Sequence, residues 1–152
     1  MASESSLLGA AGEHYIMSEL LRRGFISALA PRGVPNADIV VTNLEGTRLC
    51  SIQVKTRRNG SNGGWIMNAK HGRIRGERLF YCFVDFQKVA EEKPLVFVVP
   101  ANVVADVLSA SHRKWLATPG RSGQTHKDGP IRQFLPSYSH IFLEEPHSFG
   151  EG

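Results

Sequence analysis

Residues 79–86 (LFYCFVDF) and 95–99 (LVFVV) restrict the fold more than any other part of the chain. Both are apolar and rich in aromatics and valine, and neither shows the strict alternation of a half-exposed strand. Each therefore reads as a buried strand, which belongs in a sheet with both faces covered. Residues 87–93 form a polar link between them. Residues 48–56 behave differently: Cys50, Ile52 and Val54 share one face, and Ser51, Gln53 and Lys55 share the other. Shorter strands are expected over 25–30 and 37–42, separated by a loop over 31–35 and followed by a turn over 43–46.

Two helices complete the set. Ser5 and Ser6 are plausible N-caps for a helix that runs to Arg23, with Gly24 as its C′ residue. Residues 100–116 carry Val103, Val104, Val107 and Leu108 at helical spacing. Residues 57–64 are polar and Gly-rich and read as a loop. Residues 65–78 are strongly basic and ambiguous in secondary structure. A second Gly-rich loop spans 118–130. The remainder, with Phe134, Leu135, Tyr138, Ile141 and Phe142, is expected to dock on the core as a short helix and an extended piece. The order is helix, three strands, basic loop, two strands, helix, which predicts an α/β fold with a mixed sheet and helices packed on it. No repeat or internal boundary is visible. A chain of 152 residues then forms one domain, with a core over about 6–116 and a C-terminal extension over 117–152.

Composition excludes several classes. Hydrophobic residues are 41% and charged residues 21%, as in ordinary globular proteins. No apolar run reaches the ~18 residues of a membrane span, and residues 1–13 lack the pattern of a signal peptide. Cys50 and Cys82 lie in apolar strands and read as buried free thiols of a cytoplasmic protein. No CxxC or Cys/His cluster suggests structural zinc. His112, His126 and His140 have no triad or zinc spacing, and no nucleotide-binding Gly motif is present.

Four positions carry candidate chemistry. Glu13 shares its helix face with Ile16, Met17, Leu20 and Leu21, so it heads an apolar stripe that should face the sheet. A carboxylate there is costly unless paired or bound to metal, and the alternative is a helix end open to solvent. Gly9 and Gly12 beside it leave room for close approach. Asp38 opens the second strand, where an acid is often only a turn residue. Gln53 and Lys55 lie two apart on the third strand and point to the same side, about 7 Å apart. An ordinary polar strand face toward water would look the same.

Order and spacing tie these positions together. The chain has Gly12 and Glu13, then Leu20, Leu21, Arg22, Arg23, Gly24 and Phe25, then Asn36, Ala37, Asp38, Ile39 and Val40, then Ile52, Gln53, Val54 and Lys55. Over residues 8–57 this resembles the PD-(D/E)XK nuclease superfamily, and within it the archaeal Holliday-junction resolvases and Mrr-type restriction enzymes. The resemblance implies a restriction-endonuclease-like α-β-β-β-α-β core, a mixed central sheet flanked by helices. It further implies a Mg²⁺-dependent (or Mn²⁺-dependent) DNA endonuclease acting on branched or foreign DNA as a homodimer. Glu13, Asp38, Gln53 and Lys55 would be catalytic. Asp38, Gln53, the Val54 carbonyl and Glu13 would hold the metal, and Lys55 would orient the attacking water and stabilise charge on the phosphate. Two positions depart from the pattern. Ala37 stands where the family has Pro or Asn. Gln53 stands where it usually has Glu, which keeps an oxygen ligand and loses a full negative charge. Active members with Gln here are known, and the alternative is a catalytically inactive nucleic-acid-binding or assembly module that keeps the fold.

Charge fits a polyanionic partner. The net charge is +4, from 18 Lys and Arg against 14 Asp and Glu, with a pI near 9.3. Between residues 55 and 78, Lys55, Arg57, Arg58, Lys70, Arg73, Arg75 and Arg78 face only Glu77, whereas 144–152 carries three Glu and no cation. Arg57, Arg58, Lys70, Arg73, Arg75 and Arg78, with His71, form either a strip against DNA phosphates or a solvated basic surface. Trp65 reads as a core anchor before a base-stacking residue. Arg121, His126 and Lys127 are candidates for a second DNA contact. Asp85 is a weak candidate for an extra acid.

Overall fold

The computed structural model describes residues 2–58 and 63–137. Tyr138, His140, Ile141, Phe142 and the acidic tail lie outside the described residues. Helix α1 spans Glu4–Arg22. Its N-cap is Ser3, ahead of the expected Ser5 and Ser6, because the Ser3 hydroxyl accepts from the Ser6 N–H at 3.2 Å. Arg23 is the C-cap, and Gly24 follows with φ +85°, a left-handed conformation that glycine adopts without strain.

The strands are β1 (Ile26–Leu29), β2 (Ile39–Thr42), β3 (Leu49–Arg58), β4 (Trp65–Asn68), β5 (Leu79–Phe86), β6 (Leu95–Pro100) and β7 (Ile131–Phe134). Helix α2 spans Ala101–Ala117. The main sheet has the order β1-β2-β3-β5-β6. Only β3 and β5 run parallel; the other neighbours are antiparallel. A parallel pair needs a crossover. Here the crossover holds β4 and one 3-10 turn, Ala69–Gly72, so the ambiguous residues 65–78 resolve into those two elements and a loop over 73–78. The second long helix comes after β6 and not between β3 and the next strand. β4 pairs with β7 in a separate two-stranded ribbon, Trp65 opposite Phe134 and Asn68 opposite Ile131.

Both faces of the sheet are covered. One buries Ile16 and Leu20 of α1 against Ile39, Val41, Ile52, Val54, Cys82 and Val84. The other buries Tyr81, Phe83 and Val99 beneath Val104 and Leu108 of α2 and Trp65, Met67 and Phe134 of the ribbon. Phe83 and Phe134 stack with centroids 4.2 Å apart, so β7 packs on the core. The unbroken apolar run of β5 follows, since Tyr81 and Phe83 face one layer and Cys82 and Val84 the other. Cys50 is half-buried, Cys82 is buried, and both are free thiols. Burial pushes the Cys82 thiol up to about 12. Among the described residues no helix is long and apolar enough to cross a membrane.

Helix α1 meets the sheet on a slightly rotated stripe. Gly12, Ile16 and Leu20 are buried, whereas Leu21 is 52% exposed. Gly12 sets the rotation: a Cβ there would lie 3.0 Å from Thr56 Cβ and closer still to its hydroxyl. The helix thus rests directly on β3, one residue before Glu13.

Candidate active site

Asp38 precedes β2 and is held by main chain on both sides. Its N–H donates to the Ile52 carbonyl at 2.8 Å, and its own carbonyl accepts from Ala30 N–H at 2.8 Å. These bonds extend the sheet by one residue and aim the carboxylate along β3. Oδ2 then accepts two hydrogen bonds, from Val54 N–H at 2.7 Å and from Gln53 Nε2 at 2.8 Å. Beyond that point β3 runs on to Arg58 while β2 has no residue opposite it. The Asp38 side chain therefore does for Val54 what a strand neighbour would do. The Val54 carbonyl projects to the same open edge, because the N–H and C=O of one strand residue point the same way.

Glu13 reaches this corner from α1. It is half-buried, and its carboxyl is raised above the ordinary range by burial first and by the Asp38 charge second, with His14 opposing. Lys55 arrives from the side of β3 that carries Gln53. Burial lowers its ammonium pKa, the Asp38 charge opposes that, and Lys70 adds to it. Two carboxylates, an amide and a lysine from three elements thus share one electrostatic neighbourhood. Among the described residues no three His, Cys, Asp or Glu side chains come together as a metal cage. The oxygens available here are those of Glu13, Asp38, Gln53 and the Val54 carbonyl.

Below the corner sits a pair that periodicity did not reveal. Tyr81 stands opposite Gln53 in register and is fully buried. Its hydroxyl shares a hydrogen bond of 2.7 Å with His71 Nδ1, and His71 is only 2% exposed. His71 therefore lies inside the fold, off the basic strip where it was expected. Burial, then the charges of Lys55 and Lys70, lower its pKa to about 4, so the ring is neutral at pH 7. Burial and the Asp38 charge raise the Tyr81 hydroxyl.

The basic strip divides. Arg57 turns inward: it donates to Asp85 Oδ2 at 2.8 Å, lies 4.1 Å from the Trp65 ring centroid, and donates to the Gly63 carbonyl. Asp85 and Trp65 are both held in the core, so the Arg57 guanidinium is turned away from the exposed basic strip, and Asp85 is its structural counter-ion. Trp65 is a core anchor, 2% exposed, donating from Nε1 to the Val84 carbonyl. Arg58, Lys70, Arg73, Arg75 and Arg78 are exposed. Arg58 lies 3.6 Å from Glu4, and Arg75 lies 2.6 Å from Asp106. In the second loop, His126 stacks on Trp115, and His112 lies 2.8 Å from Asp128; Arg121 and Lys127 are exposed.

Comparison with solved structures places this architecture. A bacterial homing endonuclease, I-Ssp6803I, superposes with a TM-score of 0.50 at 18% identity, over 97% of this chain and 88% of the other. The Holliday junction resolvase Hjc of the archaeal hyperthermophile Archaeoglobus fulgidus superposes with a TM-score of 0.49 at 16% identity, over 95% and 97%. The chain has the restriction-endonuclease-like fold. No family model and no curated protein matches it. In this restriction-endonuclease-like fold, Glu13 comes from the first helix, Asp38 from the start of the second strand, and Gln53 and Lys55 from the third.

Proposed function

We propose that this protein is a metal-dependent DNA endonuclease that hydrolyses phosphodiester bonds at the corner formed by Glu13, Asp38, Gln53 and Lys55. The observation that carries the reading is the double anchoring of Asp38 Oδ2 by Val54 N–H and Gln53 Nε2, within electrostatic reach of Glu13 and Lys55. A polar cluster half-sunk in a sheet edge is costly as structure alone.

The donor set suits a hard divalent cation. Both hydrogen bonds to Asp38 go to Oδ2, which leaves Oδ1 without a partner among the described residues. Asp38, Glu13, the Val54 carbonyl and the Gln53 amide oxygen would hold Mg²⁺ or Mn²⁺, ions that favour such oxygens and retain water. The metal, when bound, supplies charge neutralisation and Lewis-acid polarisation at the phosphate. Lys55 Nζ donates to a phosphate oxygen or to the attacking water, and its half-buried setting strengthens that contact. Turning the Gln53 amide over presents Oε1 to the cation in place of Nε2 to Asp38.

Branched or foreign DNA is the proposed substrate class. A homodimer is the proposed assembly, since one such corner cuts one strand, and the cytoplasm is the proposed compartment. One observation favours a second reading. Gln53 satisfies Asp38 with an N–H, as a site that needs no metal would. Under that reading the protein is a nucleic-acid-binding module that keeps the fold without cutting.

Incubation with supercoiled, linear and four-way-junction DNA in Mg²⁺ or Mn²⁺ tests both. The endonuclease reading expects nicking or cutting that disappears in Lys55→Ala while binding persists. Binding without cleavage in any of these conditions selects the second reading. Absence of binding at low salt removes both.

A further inference from the structure

The β4–β7 ribbon has two unlike faces. Inward, Trp65, Met67 and Phe134 are buried. Outward, Ile66 is 67% and Ile131 is 68% exposed, and Asn68 and Gln133 are exposed beside them. The register sets Ile66 opposite Gln133 and Asn68 opposite Ile131, so the two isoleucines are diagonal neighbours on one surface. Isoleucine favours strands, but strand propensity does not require this much exposed apolar area on both strands at once.

We infer that the outer face of the β4–β7 ribbon is a DNA-reading surface, with Ile66 and Ile131 making apolar base contacts and Gln133 supplying a hydrogen-bonding amide. The inference rests on the endonuclease reading for its partner. Three features select duplex DNA as the occupant. Charge is the first: Lys70 and Arg73, in and just after the turn that follows β4, are exposed and make no ion pair among the described residues. Continuity is the second. The 3-10 turn directly follows Asn68, and its Lys70 is close enough to Lys55 to perturb that ammonium, so the ribbon leads straight into the candidate active site. Shape is the third. A two-stranded ribbon fits the roughly 12 Å major groove. Four side chains on four-residue strands fall far short of the about 800 Å² per partner that a stable protein–protein interface needs.

The chemistry of the four side chains sets the preference. Aliphatic groups contact the thymine methyl, and a glutamine amide pairs with adenine N6 and N7. Gln133 makes no hydrogen bond among the described residues. The Asn68 carbonyl oxygen is already taken by the Lys70 N–H at 3.1 Å, which leaves its NH₂ to donate. The ribbon should favour A·T pairs, while Lys70 and Arg73 bind phosphate without regard to sequence.

The test is fluorescence anisotropy of the full chain on a labelled duplex of about 30 bp with an A·T-rich centre, in EDTA so that nothing is cut. Ile66→Thr/Ile131→Thr keeps β-branched residues on exposed positions, and circular dichroism checks the fold. Leu44→Thr, at a residue 72% exposed in the β2–β3 turn, is the control. The expected result is roughly tenfold weaker binding for the double variant, no change for the control, and a similar loss when uracil replaces thymine in the wild-type experiment. The salt dependence of binding should not change, since no phosphate contact is lost. Wild-type affinity in the double variant overturns the inference, and so does equal weakening by Leu44→Thr. Loss of a dimer with DNA binding intact assigns the face to self-association and overturns it as well. Cleavage by wild type tests the endonuclease reading separately: a protein that cuts DNA but binds it equally well with both isoleucines replaced keeps that reading and loses this one.

Discussion

Gln53 Nε2 donates to Asp38 Oδ2 at 2.8 Å, so an amide occupies the place where a second carboxylate would repel the first. Gln53→Glu removes that donor and sets two negative charges together in a half-buried corner. Without metal the variant should lose about 1–3 kcal/mol of stability. With Mg²⁺ the added charge becomes a ligand, so melting temperature should recover and cleavage should rise. Thermal melts in EDTA and in Mg²⁺ decide the matter. An unchanged melting temperature in both would mean that Asp38 and Gln53 are not a cation's donor set.

His71 predicts a pH dependence. Its folded pKa, about 4, is below the ordinary 6.5, so the folded state holds the proton less tightly than the unfolded chain. Stability is then fully present above pH 6.5 and declines as pH falls toward 4, by at most about 3 kcal/mol from this group. His71→Gln can keep a hydrogen bond to Tyr81 and cannot titrate. Its urea-unfolding free energy should fall less than that of wild type between pH 7 and pH 4.5. Parallel curves for the two proteins would show that the buried ring does not govern this limb.

Much of this corner was legible from periodicity. The alternation of β3 placed Gln53 and Lys55 on one side, helical spacing put Glu13 near the sheet, and Asp38 opened its strand as expected. Alternation could not say what covers each side. The Gln53 side of β3 meets the candidate site at Lys55 but passes under Trp65 at Arg57, so one polar stripe is part candidate site and part core. That cover comes from β4 and β7, which are paired across more than sixty residues of chain and carry no local signal of their pairing. His71 stayed hidden for the same reason: it sits in a basic run that looks solvated, and only the fold brings it to Tyr81. Of the expected α1 stripe, Ile16, Met17 and Leu20 pack on the sheet and Leu21 turns to solvent, because Gly12, lacking a side chain, lets the helix rest on β3 at its own position.

The Arg57–Asp85 pair should behave as core. Asp85→Ala strands a guanidinium whose side chain is 13% exposed, at a cost of about 3–5 kcal/mol. Replacing both, as Arg57→Met/Asp85→Leu, removes the unpaired charge and should cost much less. The same double variant should bind DNA with unchanged salt dependence, whereas Lys70→Ala should lower the salt slope by about one. Urea titrations and salt-dependent anisotropy measure the two effects, and a reduced salt slope in the Arg57 variant would return that residue to the phosphate-facing surface.

Gly12 and Thr56 link stability to the candidate site. A Cβ at position 12 would come closer to the Thr56 hydroxyl than atoms tolerate, with Thr56 Cβ and Cγ2 at 3.0 and 3.1 Å. Gly12→Ala must lift α1 off β3, at about 1–3 kcal/mol. Because Glu13 is the next residue, the shift also moves its carboxylate away from Asp38, so cleavage should fall further than the lost stability explains. The Thr56 hydroxyl oxygen is itself buried without a hydrogen-bond partner among the described residues, so Thr56→Val alone should be neutral or stabilising. Thr56→Ala removes the hydroxyl and methyl that face Gly12 and leaves only the 3.0 Å contact. In the Gly12→Ala/Thr56→Ala double variant, stability and cleavage should therefore both recover in part, a coupling that a double-mutant cycle reads directly. Strict additivity would mean that the helix does not rest on this pair. Recovery of stability without recovery of cleavage would mean that the placement of Glu13 is set elsewhere on α1.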